Sequence, residues 1–165
     1  MAAMEFSHDM TYDAAPEEVA AMLADPAFRE QVCQAMGSTH SDVTVDGAAG
    51  DGMRVLVDQT RPTTGVPSFA KKLVGDEVRI VRRESWTEKL GADLTIDVPG
   101  RPATFAGAIA LVARDGRTVA AVTGEITVRI PMLGGRLEGL VADVLRHAFR
   151  AEERVGRAWL AGDRR

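Results

Sequence analysis

The segment that decides the fold is the last long run of the chain, residues 135–161, which reads GRLEGLVADVLRHAFRAEERVGRAWLA. Apolar residues recur in it with the 3.6-residue period of an amphipathic helix, and charged residues occupy the opposite face. The predicted apolar stripe consists of Leu133, Leu137, Leu140, Val141, Val144, Ala148, Val155 and Trp159. At 1.5 Å per residue such a helix is about 40 Å long. It therefore needs an equally long surface to cover it.

That surface is predicted by residues 41–130, where the hydrophobic period changes from 3.6 to two. Strands are expected there at 41–45, 52–61, 77–88, 92–98, 103–113 and 118–130, and a further strand is expected near the N-terminus at 5–13. Most connections are too short for crossovers, which makes the sheet antiparallel, and Asp115-Gly116 is a typical type I′ hairpin turn. The last strand would extend about 43 Å at ~3.3 Å per residue. We expect Gly107 and Gly124 to be bend or bulge sites in these long strands.

Two short helices are expected between the first strand and the second. Pro16 followed by two acids favours one helix start. Asp25 as N-cap with Pro26 behind it favours another, which ends at Gly37. The long connector 62–76 holds one or two further helical turns. The predicted fold is α+β, with a curved antiparallel sheet of about seven strands wrapped on one long C-terminal helix, as a single domain over residues 1–165.

This order of elements resembles the helix-grip fold of the START-like superfamily, which includes lipid-transfer domains, pollen-allergen-like proteins and polyketide cyclases. Three strings resemble an uncharacterised actinobacterial domain-of-unknown-function family within it: RIVRRESW at 79–86, IPMLGGRLE at 130–138 and AWL at 158–160. The resemblance covers the whole chain and implies a deep apolar cavity between the sheet and the long helix. It implies no particular reaction, because one fold hosts many activities.

Composition narrows the classes of function. The 165 residues include 20 Lys and Arg and 24 Asp and Glu, which gives a net charge of -4. A chain with this charge has no overall positive field to attract nucleic acid, so we expect no nucleic-acid binding. The N-terminus has acids where a signal peptide needs an apolar core, and the longest uncharged stretch, 102–113, is far shorter than the ~20 residues of a membrane span. We therefore predict a cytoplasmic protein without stable membrane insertion. Cys33, the only cysteine, is expected to be a buried structural thiol.

No metal or cofactor is expected. The sequence has no phosphate-binding glycine loop, dinucleotide turn, zinc-protease motif or hydrolase elbow. The three histidines, His8, His40 and His147, fall on three different predicted elements, which is unlike the spacing of metal ligands.

Strand alternation points to the candidate site. If the apolar residues of each strand face inward, the same alternation turns six other side chains inward: His8, Tyr12, Gln59, Arg82, Glu84 and Trp86. Arg82 and Glu84 lie two apart on one strand and are within reach of an ion pair, whose burial costs several kcal/mol per ion unless it is compensated. A bulge near Arg82 would instead place both charges in water. Both arrangements stay open at the level of sequence.

Three functions compete. The first is the binding of a hydrophobic or lipid-like small molecule in the cavity, for which the candidate residues are Tyr12, Gln59, Arg82, Glu84, Trp86, Phe105, Val144 and Ala148. The second is a cyclase or dehydratase on an apolar or polyketide-like substrate, with Glu84 as acid or base. The third is a protein-protein adaptor. Only five Phe, two Trp and one Tyr are available to fill the interior, which favours a cavity. The sequence specifies neither the ligand nor the oligomeric state.

Overall fold

The computed structural model describes residues 3–132 and 134–164, so Leu133, the first residue of the predicted apolar stripe, lies outside the described residues. The strands are β1 (Ala3–Tyr12), β2 (His40–Asp46), β3 (Met53–Pro62), β4 (Glu77–Glu88), β5 (Gly91–Asp97), β6 (Ala103–Arg114) and β7 (Arg117–Val128). The helices are α1 (Pro16–Leu23), α2 (Pro26–Ala35), α3 (Ser68–Val74) and α4 (Gly134–Leu160). The predicted order of elements and the helix-grip architecture are confirmed.

The seven strands form one sheet in the order β1-β7-β6-β5-β4-β3-β2. Each neighbouring pair is antiparallel, as the short connections predicted. At the turn between β6 and β7, Asp115 has φ of 53° and Gly116 has φ of 78°, the positive values that a type I′ hairpin needs at both central positions.

Gly107 and Gly124 are cross-strand partners in β6 and β7, and the register of this pair of strands continues without a shift from Ala103 to Arg114. Of the two alternatives expected at these glycines, the bulge is therefore wrong, and the bend stays a prediction. The need for glycine here has another cause: a Cβ on Gly107 would overlap the Thr123 carbonyl, and one on Gly124 would lie 2.7 Å from Phe105 Cζ. The register shift in this sheet lies between Ser85 and Glu88, where β4 pairs with β5.

The two short helices begin as their sequences indicate. Asp25 caps α2 through a hydrogen bond that its carboxylate accepts from Ala27 N at 2.9 Å, and Pro26 occupies the first turn. Cys33 on α2 is buried, and burial raises the pKa of its thiol to about 11. The thiol therefore stays protonated at neutral pH, in agreement with a structural role.

The buried face of α4 is rotated from the predicted stripe. The residues with little exposed surface include Leu137, Ala142, Leu145, Phe149, Glu152, Gly156 and Trp159. Of the predicted stripe, Leu140, Val141 and Ala148 are half-buried, and Val144 is 38% exposed. The difference has a physical reason, because Leu140, Val141, Val144 and Ala148 line an internal space and are therefore not fully covered by neighbouring side chains. No helix in the described ranges has the length and apolar composition that a bilayer crossing needs.

Candidate functional site

A cavity of about 830 Å³ separates the sheet from the N-terminal half of α4. Its α4 wall runs from Leu137 to Phe149, and its opposite wall is formed by the inward faces of β3, β4, β5 and β6 together with Val128 at the end of β7. Residues 62–66, three residues of α3 and the turn before β6 contribute the remaining sides. Aliphatic and aromatic side chains predominate in this lining, which gives the space the character of a site for an apolar molecule.

Five of the predicted ligand-binding residues line this cavity: Gln59, Arg82, Phe105, Val144 and Ala148. The remaining three, Tyr12, Glu84 and Trp86, are buried but are not among its described lining residues. Six of the eight lie on strands, and alternation brings these six to the same face of the sheet, whereas Val144 and Ala148 line the cavity from α4.

Arg82 and Glu84 both face inward, and their ion pair is part of a larger cluster. Arg82 Nε lies 2.7 Å from Glu84 Oε2, and Arg82 Nη1 lies 2.7 Å from Glu152 Oε1 on α4. Arg29 on α2 reaches the other side of Glu84, with Nη1 2.6 Å from Oε2 and Nη2 2.8 Å from Oε1. We call Arg29, Arg82, Glu84 and Glu152 the buried charge network. It contains two cations and two anions and is neutral as a whole.

Every lone-pair direction of the Glu84 carboxylate is occupied, because Trp86 Nε1 also donates to Oε1 at 2.8 Å. Burial alone would raise the pKa of Glu84, but the charges of Arg29 and Arg82 outweigh it and lower this pKa to about 2. Glu84 is therefore a permanent anion at neutral pH. It has no proton to give as an acid and no free oxygen with which to act as a base.

Arg29 and Glu152 were not identified as site residues from the sequence. Arg29 follows Phe28 on α2, and a charge beside the apolar stripe of a surface helix usually faces water. Glu152 offers a clearer signal, because it falls at helical spacing between Phe149 and Trp159 on the buried face. A carboxylate in that position needs a cationic partner, and Arg82 supplies it.

Beyond the network, the interior is closely packed. Phe28 and Trp159 meet edge to face with ring centroids 5.7 Å apart, and Tyr12 is fully buried. Burial raises the pKa of the Tyr12 hydroxyl well above its ordinary value, and that hydroxyl donates to Met10 Sδ at 3.5 Å. The network thus lies between the cavity, where α4 contributes residues up to Phe149, and a packed end where α1 and α2 cover the rest of α4.

His8 is half-buried on β1 and stacks on Phe149, with ring centroids 5.9 Å apart. Its Nε2 atom has no hydrogen-bond partner among the described residues, and burial lowers the pKa of the ring. Within residues 3–132 and 134–164, no group of three or more His, Cys, Asp or Glu side chains is placed to hold a metal ion.

Solved structures with the same fold are distant in sequence. The protein TTHA0849 from Thermus thermophilus has 18% identity and a TM-score of 0.65, covering 96% of this chain and 99% of that chain. The Zhui aromatase/cyclase from Streptomyces sp. R1128 has 12% identity and a TM-score of 0.66, covering 95% and 93%. A truncated norcoclaurine synthase from Thalictrum flavum has 11% identity and a TM-score of 0.67, covering 98% and 95%. At such identities the likeness extends to the fold alone.

A search of curated proteins finds no match. A protein-family model, in contrast, does match the sequence. The model of a protein family described as a protein of unknown function, DUF2505, matches residues 7–160, which span β1 to the last turn of α4. The chain therefore belongs to the DUF2505 family.

Proposed function

We propose that this protein binds an apolar small molecule in the cavity between the sheet and α4. The observation that carries the proposal is the cavity itself, whose volume of about 830 Å³ lies within the ~300–1,000 Å³ of typical ligand sites. A fully packed interior would be more stable, so a space of this size lined by aliphatic side chains calls for an occupant.

In this proposal the eight predicted residues divide into two roles. Gln59, Arg82, Phe105, Val144 and Ala148 contact the ligand, because they line the cavity. Tyr12, Glu84 and Trp86 support the inner end of the cavity from behind. The whole chain acts as one domain. A cytoplasmic location and an actinobacterial source stay predictions from the sequence.

The proposed binding site has a parallel among structures of the same fold. Norcoclaurine synthase from Thalictrum flavum, with a TM-score of 0.62, has been solved in complex with dopamine and hydroxybenzaldehyde. The fold therefore admits small aromatic molecules in at least one protein that shares it. This parallel supports the proposal that a ligand is bound. Which ligand is bound has to be inferred from the residues of this chain that line the cavity.

The geometry favours binding over acid-base catalysis. A cyclase or dehydratase mechanism through Glu84 needs a carboxyl that exchanges a proton near neutral pH, whereas Glu84 is held as an anion by Arg29 and Arg82. An adaptor surface is not favoured either. The large hydrophobic residues that are exposed in the described ranges lie on separate elements: Leu56, Val112, Met132 and Val144.

The experiment is fluorescence titration with the neutral apolar dye N-phenyl-1-naphthylamine, after refolding from guanidinium chloride to strip any carried molecule. Wild-type protein should bind the dye with a saturable rise in emission. Ala148→Trp should abolish the rise, because the indole would fill the space beside α4. The matched control is Ala110→Trp, which adds the same indole at an exposed position of β6.

The fold of both variants is checked by thermal unfolding. Equal dye binding by wild type and Ala148→Trp, or no binding by wild type, would contradict the proposal. Loss of cooperative unfolding in Ala148→Trp alone would mean that this region is already close-packed, which also contradicts it.

A further inference from the structure

Arg61 on β3 is a half-buried cation without a counter-ion. It lines the cavity, and the one hydrogen bond of its side chain in the described part of the chain runs from Nη1 to Met36 Sδ at 3.3 Å. A thioether sulfur is a weak acceptor and carries no charge. No Asp or Glu of the described residues lies within ion-pair distance of Arg61, and burial lowers the pKa of its guanidinium.

The two fully buried arginines, Arg29 and Arg82, are compensated. Arg82 contacts Glu84 and Glu152, and Arg29 contacts Glu84 through both terminal nitrogens. A guanidinium removed from water without an anion is costly, so a protein that pairs its other buried arginines leaves Arg61 as the exception. An anion brought by a ligand would complete the pairing.

Two further donors line the cavity on the same face of the sheet as Arg61. Gln59 is two residues away on the same face of β3, about 6.6 Å along the strand. Its Oε1 accepts from Ser38 Oγ at 2.6 Å, so the group left for a ligand is the Nε2 amide, a donor. Arg82 is the cross-strand partner of Val57 and so lies on the same face of the sheet, diagonal to Gln59 on the neighbouring strand, and its Nη2 is buried with no hydrogen-bond partner among the described residues.

The remainder of the lining adds little negative charge. Asp143 is the only acidic residue among the described lining residues, and its largely exposed carboxylate is 3.1 Å from Arg146 Nη1. Glu152 Oε2 also lacks a partner within the described ranges, but Glu152 is not among the lining residues. Arg101 contributes a further, exposed cation to the lining. The cavity is therefore locally positive in a chain whose net charge is -4.

We propose that the cavity selects apolar molecules that carry one anionic head group, such as a carboxylate. Arg61 and the amide of Gln59 bind the head group, and the apolar body lies along Phe105, Val144 and Ala148. This inference rests on the proposed binding function and deepens it, because it assigns the charge of the ligand. Neutral and cationic molecules with the same apolar body should bind more weakly.

The test is competition against N-phenyl-1-naphthylamine by three ligands with the same ten-carbon chain: decanoate, decanol and decyltrimethylammonium. For wild-type protein at pH 7.5 we expect decanoate to bind roughly tenfold or more tightly than decanol, as a charge-assisted hydrogen bond allows. The decyltrimethylammonium ion should bind most weakly. Arg61→Gln should lower decanoate affinity to the decanol level and leave decanol affinity unchanged.

The matched control is Arg54→Gln, which removes the same charge from the exposed face of the same strand. It should preserve the preference for decanoate, as should the charge-retaining Arg61→Lys. Arg61→Gln should fold, because loss of the guanidinium leaves no carboxylate without its partner. Thermal unfolding checks this. Equal binding of decanoate and decanol, or equal losses in Arg61→Gln and Arg54→Gln, overturns the inference while dye binding persists. Absence of dye binding in wild type would instead reject the binding function itself.

Discussion

Arg29 and Glu84 form a bidentate ion pair that joins α2 to β4, and their side chains are 2% and 0% exposed. The same guanidinium donates through Nε to the Leu23 carbonyl at the end of α1, at 2.8 Å. One side chain thus connects both short helices to the sheet. This contact lies between the packed end of the interior and the cavity.

Arg29→Met should destabilise the protein by about 3 to 5 kcal/mol, because two buried carboxylates are then left to share Arg82. Urea unfolding followed by circular dichroism measures the change. The control is Arg79→Met, which removes a guanidinium 2.6 Å from Asp58 on the exposed face of the sheet. That pair should contribute less than about 1 kcal/mol. Equal losses in the two variants would show that the buried pair has no special weight.

Two pairs of charges in the buried charge network should differ in how much stability is lost when both members are replaced. Arg82→Met with Glu152→Leu leaves the Arg29–Glu84 pair intact, so the double variant should be more stable than either single variant by more than about 1 kcal/mol. Arg82→Met with Glu84→Leu leaves Arg29 and Glu152 without counter-ions and should show no such recovery. A double-mutant cycle in urea measures both couplings. Additive losses in the first cycle would mean that Arg82 and Glu152 do not interact.

The third prediction is a pH dependence from Glu84. Its pKa is about 2 in the folded protein against an ordinary value of 4.5, so the unfolded chain takes up this proton first as the pH falls. The stabilisation, about 3 kcal/mol, is complete well above pH 4.5 and is lost as the pH falls through 4.5 to about 2.

The stability difference between wild type and Glu84→Gln isolates this group, because the other titrating groups largely cancel. The difference should be constant from pH 7 to pH 5 and should shrink between pH 4.5 and pH 3. A difference that does not change over this range would show that Glu84 has an ordinary pKa.

The fold was predictable because its elements are long and strongly periodic. Strand alternation also placed Arg82 and Glu84 correctly, since parity is a local property that holds along a strand unless a bulge intervenes. The observed irregularity, between Ser85 and Glu88, falls after both residues. The alternative with both charges in water is therefore wrong.

The partners of these residues were not predictable in the same way. Periodicity gives the apolar face of a helix but not what that face meets, so the stripe of α4 was centred on Val144 and Ala148, which line a cavity. The packed part of α4 carries Glu152, Gly156 and Trp159. Arg29 pairs with Glu84 across 55 positions of sequence, a distance over which no local pattern operates. The missing counter-ion of Arg61 likewise emerges only when the surroundings of all the acids are known.

Gly156 should be an exception to a general rule about glycine in helices. Replacing a helical glycine by alanine usually stabilises by about 0.5 to 1 kcal/mol. At Gly156 of α4, however, an added Cβ would lie 2.6 Å from Tyr12 Cε1 and 3.1 Å from Met22 Cε. Tyr12 is fully buried and has no room to move away, so Gly156→Ala should destabilise by about 1 to 3 kcal/mol.

Gly139 provides the matched control in the same helix, since its added Cβ meets nothing within 4 Å. Gly139→Ala should raise the melting temperature and Gly156→Ala should lower it, as measured by calorimetry. A rise in both would show that the contact between α4 and β1 yields easily, and that the interior beyond the charge network is looser than its packing indicates.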